Sequence, residues 1–86
     1  MDKGDIKKVL QCPSRDLLEL ALHLVNLKDK EYQAILTCDI KGYTEEETSN
    51  KLLCSKKSIQ NWRKSAYKKM GKVWESNKLI ETMLEL

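Results

Sequence analysis

The sequence predicts an all-α fold, and three observations carry that expectation. Apolar residues recur at three- and four-residue intervals, no stretch alternates with period two, and Ser, Thr and Gly stand where helices should start and stop. β-branched residues are few and scattered, which gives strands little support. Eighty-six residues, 34% of them charged, with one proline and three glycines, suit a single domain (1–86) with a thin core. Four to five helices are expected.

Residues 1–12 are charged, contain Gly4, and form a flexible stretch or a short helix over Asp5 to Gln11. Pro13 breaks any continuation and suits a helix start. A bracing helix over residues 13–26 carries the apolar stripe Leu17, Leu18, Ala21, Leu22 and Val25. Leu20 and Leu24 widen that stripe, so much of its circumference should be buried, with His23 at the rim. Residues 28–71 form the central part. Its first helix begins near Lys28 or Asp29 and ends near Asp39, with Tyr32, Ile35, Leu36 and Cys38 or Ile40 inward, and Gly42 stops it.

Thr44-Glu45-Glu46-Glu47 is the clearest local signal. It is a capping box: the Thr44 hydroxyl can accept from the Glu47 amide, and the Glu47 carboxylate can accept from the Thr44 amide. The consecutive carboxylates of this turn also suit the positive end of the helix dipole. Neighbouring positions on a helix point in different directions, so these residues are not a paired acid and base, and no enzyme activity is expected. This helix is short and ends near Leu52 or Leu53. Ser55 offers a second N-cap eleven residues after Thr44. The helix it opens has an inner stripe of Ile59, Trp62, Ala66, Met70 and Val73, opposite Lys57, Asn61, Lys64, Lys68 and Lys72. A break is expected near Gly71–Val73. Residues 73–86, with Trp74, Leu79, Ile80, Met83, Leu84 and Leu86, then form a C-terminal amphipathic helix that either closes the core or makes a homodimer.

The three cysteines, Cys12, Cys38 and Cys54, form no CxxC pair and cannot complete a zinc site with the single His23. Cys38 and Cys54 read as small core hydrophobes, and no metal or other cofactor is expected. The longest apolar-rich stretch, Leu17 to Leu27, is interrupted by Glu19, His23 and Asn26 and is too short to span a membrane. A cytoplasmic location is the default expectation.

Net charge is only +3, but its distribution is uneven. From Thr48 to Trp74 there is no acidic residue, whereas Lys51, Lys56, Lys57, Arg63, Lys64, Lys68, Lys69 and Lys72 are all basic. Such segregation marks a face for nucleic acid on an otherwise acidic body. A solvated lysine-rich helix would look similar by charge alone. Two capped helices joined by a short turn, the second amphipathic and basic, decide between these readings in favour of a helix-turn-helix that binds double-stranded DNA. Lys56 and Lys57 would face phosphates or guanine edges. Gln60 and Asn61 carry amides able to pair with adenine. Lys64, Lys68 and Lys72 would contact the phosphate backbone.

The run Glu47-Thr48-Ser49-Asn50-Lys51-Leu52-Leu53-Cys54-Ser55-Lys56-Lys57-Ser58-Ile59 resembles the helix-turn-helix shared by region 4 of sigma factors and LuxR/GerE-type regulators. Upstream, Leu27, Glu31, Ile35, Leu36 and Gly42 look like the preceding sigma-type helix, and downstream Ala66, Lys68, Lys69 and Met70 fall on its Ala-x-Lys-Lys-Leu pattern. The resemblance covers Leu27 to Gly71. Three positions depart from it. Leu53 replaces the turn glycine, which implies a different turn or a strained backbone. Thr48 and Ser49 replace an apolar residue and alanine, which implies a weaker contact between the two helices. Arg63 replaces an apolar residue, so Trp62 should take over the packing while Arg63 points to the rim, towards phosphate. The string Ile59-Gln60-Asn61-Trp62-Arg63-Lys64 also looks like recognition helices of phage small terminase subunits and transposase N-terminal domains.

The expected function is therefore a sequence-specific transcription regulator of the kind phages and mobile elements encode, contacting DNA through Lys56, Lys57, Ser58, Gln60, Asn61, Arg63, Lys64 and Lys68. Two alternatives stay open: a DNA-recognition subunit of a packaging or recombination machine, and a sigma-like module that binds RNA polymerase or a sigma factor.

Overall fold

Residues 1–85 are described by a computed structural model, and among them are six α-helices and no strand. That is more than the four to five expected, because residues 3–10 form a full helix of their own. Leu86, assigned to the last helix by its apolar character, lies outside the described residues. The chain divides into two compact units, one made of Met1–Asn26 with Tyr67–Leu86 and the other of Leu27–Ala66.

In the first unit, helix α1 (Lys3–Leu10) starts where the Asp2 carboxylate accepts from the Asp5 amide at 2.8 Å, and it buries Ile6, Val9 and Leu10. Helix α2 (Arg15–His23) starts just after Pro13 and is capped by Ser14, whose Oγ accepts from the Leu17 amide at 3.3 Å. It buries Leu18, Ala21 and Leu22, followed by Val25. Leu20 and Leu24 are 54% and 42% exposed, so α2 buries one face only and the wide stripe expected for it is not present. His23 is exposed, as its rim position implied.

Helix α5 (Lys56–Trp74) supplies this unit with its last turns, from Tyr67 onward. The break expected near Gly71 does not occur. Glycine costs a helix interior about 1 kcal/mol, but Met70 and Trp74, one turn apart, are both fully buried and hold the helix through it. The chain leaves the helix instead near Ser76, which takes a left-handed backbone with φ 63°. Val73, expected on the inner stripe, faces solvent. Trp74 takes the inward position, and its indole Nε1 donates to the Ala21 carbonyl at 2.9 Å. Ala21 lies in the last turn of α2, where carbonyls lose their helical partners, so the indole caps that helix as well as filling the core. Helix α6 (Lys78–Glu85) begins with Asn77 Oδ1 accepting from the amides of Leu79 and Ile80, packs on α1 and α2, and buries Ile80 and Met83.

The second unit opens with α3 (Asp29–Ala34), whose first turn is closed by the Glu31 carboxylate accepting from the Lys28 amide at 2.8 Å. The helix then widens into a π-helical segment, Ile35–Ile40, whose last turn is marked by the Lys41 amide reaching the Leu36 carbonyl at 2.9 Å. Gly42, with φ 83°, ends it where the sequence places the stop. Helix α4 (Glu45–Leu52) carries the expected capping box: Thr44 Oγ1 accepts from the Glu47 amide at 3.1 Å, and Glu47 Oε1 accepts from the Thr44 amide at 3.0 Å. The Thr44 amide, and after it the Thr44 hydroxyl, hold the Glu47 carboxyl below its ordinary range by hydrogen bonding to its charged form.

Two measurements test these arrangements. Trp74→Phe keeps an aromatic ring but removes the donor to the Ala21 carbonyl; we expect a loss of about 2–3 kcal/mol in urea unfolding, and a loss under about 0.5 kcal/mol would contradict the role given to Trp74. Because the Glu47 carboxyl is depressed, its share of stability is complete above its unfolded pKa and disappears as pH falls through the lower folded value. The Thr44 amide proton, followed by NMR, should therefore titrate with a midpoint below the usual carboxylate value of about 4.3; a midpoint at or above it would contradict the capping box.

Candidate nucleic-acid interface

The candidate site lies wholly within the second unit, on α4, the turn after it, and the first part of α5. Leu53 carries that turn in the left-handed conformation, φ 54° and ψ 49°, with its side chain 92% exposed. The strained backbone implied by a missing glycine is therefore present, at a cost of about 1–2 kcal/mol for a residue with a Cβ. The Cys54 amide reaches back to the Ser49 carbonyl at 3.0 Å, so the turn is also hydrogen-bonded. Ser55 then caps α5, its Oγ accepting from the Ser58 amide at 3.1 Å, while its hydroxyl donates to Ser58 Oγ at 3.0 Å. Ser58 thus takes part in the cap and is half-buried.

Beyond the cap, Lys57, Gln60, Asn61 and Lys64 recur at i, i+3, i+4 and i+7, which sets them on one face of α5. All four are exposed, as is Lys56 beside them. Ile59 and Ala66, on the other side, are fully buried. Lys56 and Lys57 occupy a first helical turn that contains no acidic residue, so their charge adds to the positive end of the helix dipole instead of offsetting it. Among the described residues, Lys56, Lys57 and Lys64 form no ion pair. Lys68 is also exposed but falls beyond Ala66, in the stretch of α5 that belongs to the other unit.

Arg63 departs from the expectation that it points to phosphate. Its Nε and Nη2 donate to the two oxygens of Asp39 at 3.1 and 2.8 Å, and its Nη1 donates to Glu45 Oε2 at 3.1 Å. The guanidinium thus joins α5 to the π-helical segment and to the start of α4. The planar fork suits a bidentate carboxylate, which lysine could not match. The hydrogen bonds that Arg63 donates to Asp39 hold its pKa above the ordinary value, so the pair keeps its positive half at every accessible pH. Neither acidic partner was singled out from the sequence. Asp39 lies 24 residues from Arg63, and Glu45 already had an explanation in the helix dipole.

Among the described residues, the Thr48 and Ser49 side chains bond within the N-terminal part of α4 and towards the π-helical segment, not to α5. Thr48 is fully buried; its hydroxyl donates to the Thr44 carbonyl at 2.8 Å and lies 3.1 Å from the buried Cys38 sulfur. The Ser49 hydroxyl donates to the Glu46 carbonyl at 2.7 Å. No buried side-chain nitrogen or oxygen among the described residues lacks a partner, so these substitutions for apolar residues carry little penalty. Cys54, read as core, is only half-buried. Trp62 is also half-buried, with the Lys30 ammonium 5.2 Å from its ring centroid, so it closes the edge of the core under a cation rather than sitting inside it. A further pairing that the sequence did not signal joins Ser65 of α5 to Glu31, a carboxylate only 3% exposed, the serine hydroxyl donating.

No protein-family model, curated protein or solved structure matches this chain.

Arg63→Ala withdraws the guanidinium from Asp39, whose side chain is only 7% exposed. We expect about 2–4 kcal/mol of destabilisation in urea unfolding, near the lower end for buried pairs because Arg63 itself is partly solvated. Stability unchanged within about 0.5 kcal/mol would show that the arginine does not anchor α5.

Proposed function

We propose that this chain is a sequence-specific DNA-binding transcription regulator without enzymatic activity, in which α4 and α5 act as a helix-turn-helix. One observation carries the reading. The exposed face of α5 combines two amides, Gln60 and Asn61, with lysines that form no ion pair among the described residues, while the nearby Asp39 and Glu45 are engaged by Arg63. An α-helix with its side chains is ~10–12 Å across, close to the ~12 Å width of the B-DNA major groove. Lysines on such a face neutralise phosphates and release counterions, whereas amides read base edges. The resemblance of residues 27–71 to sigma region 4 and LuxR/GerE-type regulators supports the same reading. It adds RNA polymerase or a sigma factor as a second partner to be tested. A DNA-bound regulator of this kind works in the cytoplasm; no helix among the described residues is long and apolar enough to cross a membrane.

The Lys57→Ala/Lys64→Ala double variant tests the reading, since both side chains are exposed and the helix should persist by circular dichroism. Fluorescence anisotropy with duplex DNA should show binding weakened at least tenfold. The dependence of log affinity on log salt should be shallower by about 1.8, that is ~0.9 for each phosphate no longer neutralised. Parent-like affinity and slope would mean that this face does not meet DNA. If the parent fails to bind any duplex at low salt yet retains RNA polymerase, the sigma-like protein-binding alternative takes its place.

A further inference from the structure

Gln60 and Asn61 are adjacent on the exposed face of α5, yet the structure treats them differently. Gln60 Nε2 donates to Glu45 Oε1 at 3.3 Å, whereas no hydrogen bond among the described residues involves the Asn61 side chain. The bond to Glu45 settles which end of the Gln60 amide points where. An ionised carboxylate only accepts, so the NH2 end must face Glu45 and the oxygen must point elsewhere. Glu45 cannot readily turn away, because its other oxygen accepts from Arg63, which is itself clamped on Asp39. The chain Asp39–Arg63–Glu45–Gln60 therefore ends in an amide of defined orientation. That amide still has its oxygen and one N–H to offer. Adenine presents the complement of this pair in the major groove, a donor at N6 beside an acceptor at N7.

On the basis of the DNA-binding reading above, we infer that Glu45 is a positioning residue that fixes Gln60 to read one adenine in the major groove, making Gln60 rather than Asn61 the principal specificity-determining residue of α5. Asn61, unrestrained, can present either end of its amide and discriminates less. Arg63 has a second function in this arrangement. It offsets one of the two carboxylate charges of Asp39 and Glu45, which together would otherwise repel more strongly the phosphates that Lys57 and Lys64 attract.

In vitro selection from a random duplex pool tests the inference on the full chain, comparing the parent with Glu45→Ala, Gln60→Ala and Asn61→Ala. The parent should enrich a motif with one adenine preferred roughly tenfold or more over other bases, the discrimination of a good bidentate pair. Gln60→Ala and Glu45→Ala should both lose that preference at the same position while the rest of the motif stays. Asn61→Ala should leave it in place. A role for Glu45 in stability alone would instead lower enrichment at all positions together. If Glu45→Ala proves unfolded, Glu45→Gln keeps an oxygen for Arg63 but can turn either end of its amide to Gln60, and the adenine preference should fall to a few-fold. A parent motif whose base preferences are unchanged in every folded Glu45 variant would overturn the inference and leave the DNA reading standing. A parent that enriches no sequence and binds no duplex would overturn the DNA reading itself, and the inference with it.

Discussion

Arg63 holds three elements at once: α5, on which it sits, the π-helical segment through Asp39, and the first turn of α4 through Glu45. Much of the second unit's geometry depends on that fork. Asp39 has a nearly buried side chain, so its charge requires a partner that does not lose its proton, and a guanidinium is the one basic group that meets this condition at all pH values of interest. The π-helical widening of the preceding helix occurs at the segment that carries Asp39. A single arginine thereby ties together the two helices on either side of the Leu53 turn and the π-helical segment before them.

The same interaction shapes the electrostatics of the exposed face. Asp39 and Glu45 both face Arg63, and Glu31 is buried and accepts from Ser65. Lys56, Lys57 and Lys64 project outward without ion pairs among the described residues. One guanidinium offsets only one of the Asp39 and Glu45 charges, so the positive character of the face rests on its lysines. Net charge, at only +3, gives little indication of it.

Local chemistry was legible in the sequence; distant pairing was not. The Thr44–Glu47 box, the Ser55 cap and the Gly42 stop each depend on residues within a few positions of one another, and each is found where its residues stand. At Leu53 the sequence left two outcomes open, a different turn or a strained backbone, and the left-handed conformation is the second. The pairing of Arg63 with Asp39 was not, because an arginine at the edge of an apolar stripe points to phosphate or to a carboxylate with equal ease until the fold supplies the carboxylate. For a related reason, Gly71 does not break its helix. Its helix penalty is local, while the burial of Met70 and Trp74 that outweighs it depends on the folded core. Leu20 and Leu24 show the reverse error, apolar side chains that periodicity assigned to a core but that no helix covers.

The most direct measurement of the central claim is an NMR titration of the isotope-labelled chain with a short duplex at low salt, following backbone amides and the side-chain amides of Gln60 and Asn61. The largest shift changes should fall on Lys56, Lys57, Gln60, Asn61 and Lys64, with Asp39 and the buried Ile59 and Ala66 changing little. Perturbations concentrated instead on α2 and α6, or none at saturating duplex, would contradict the assignment of the α5 face to DNA.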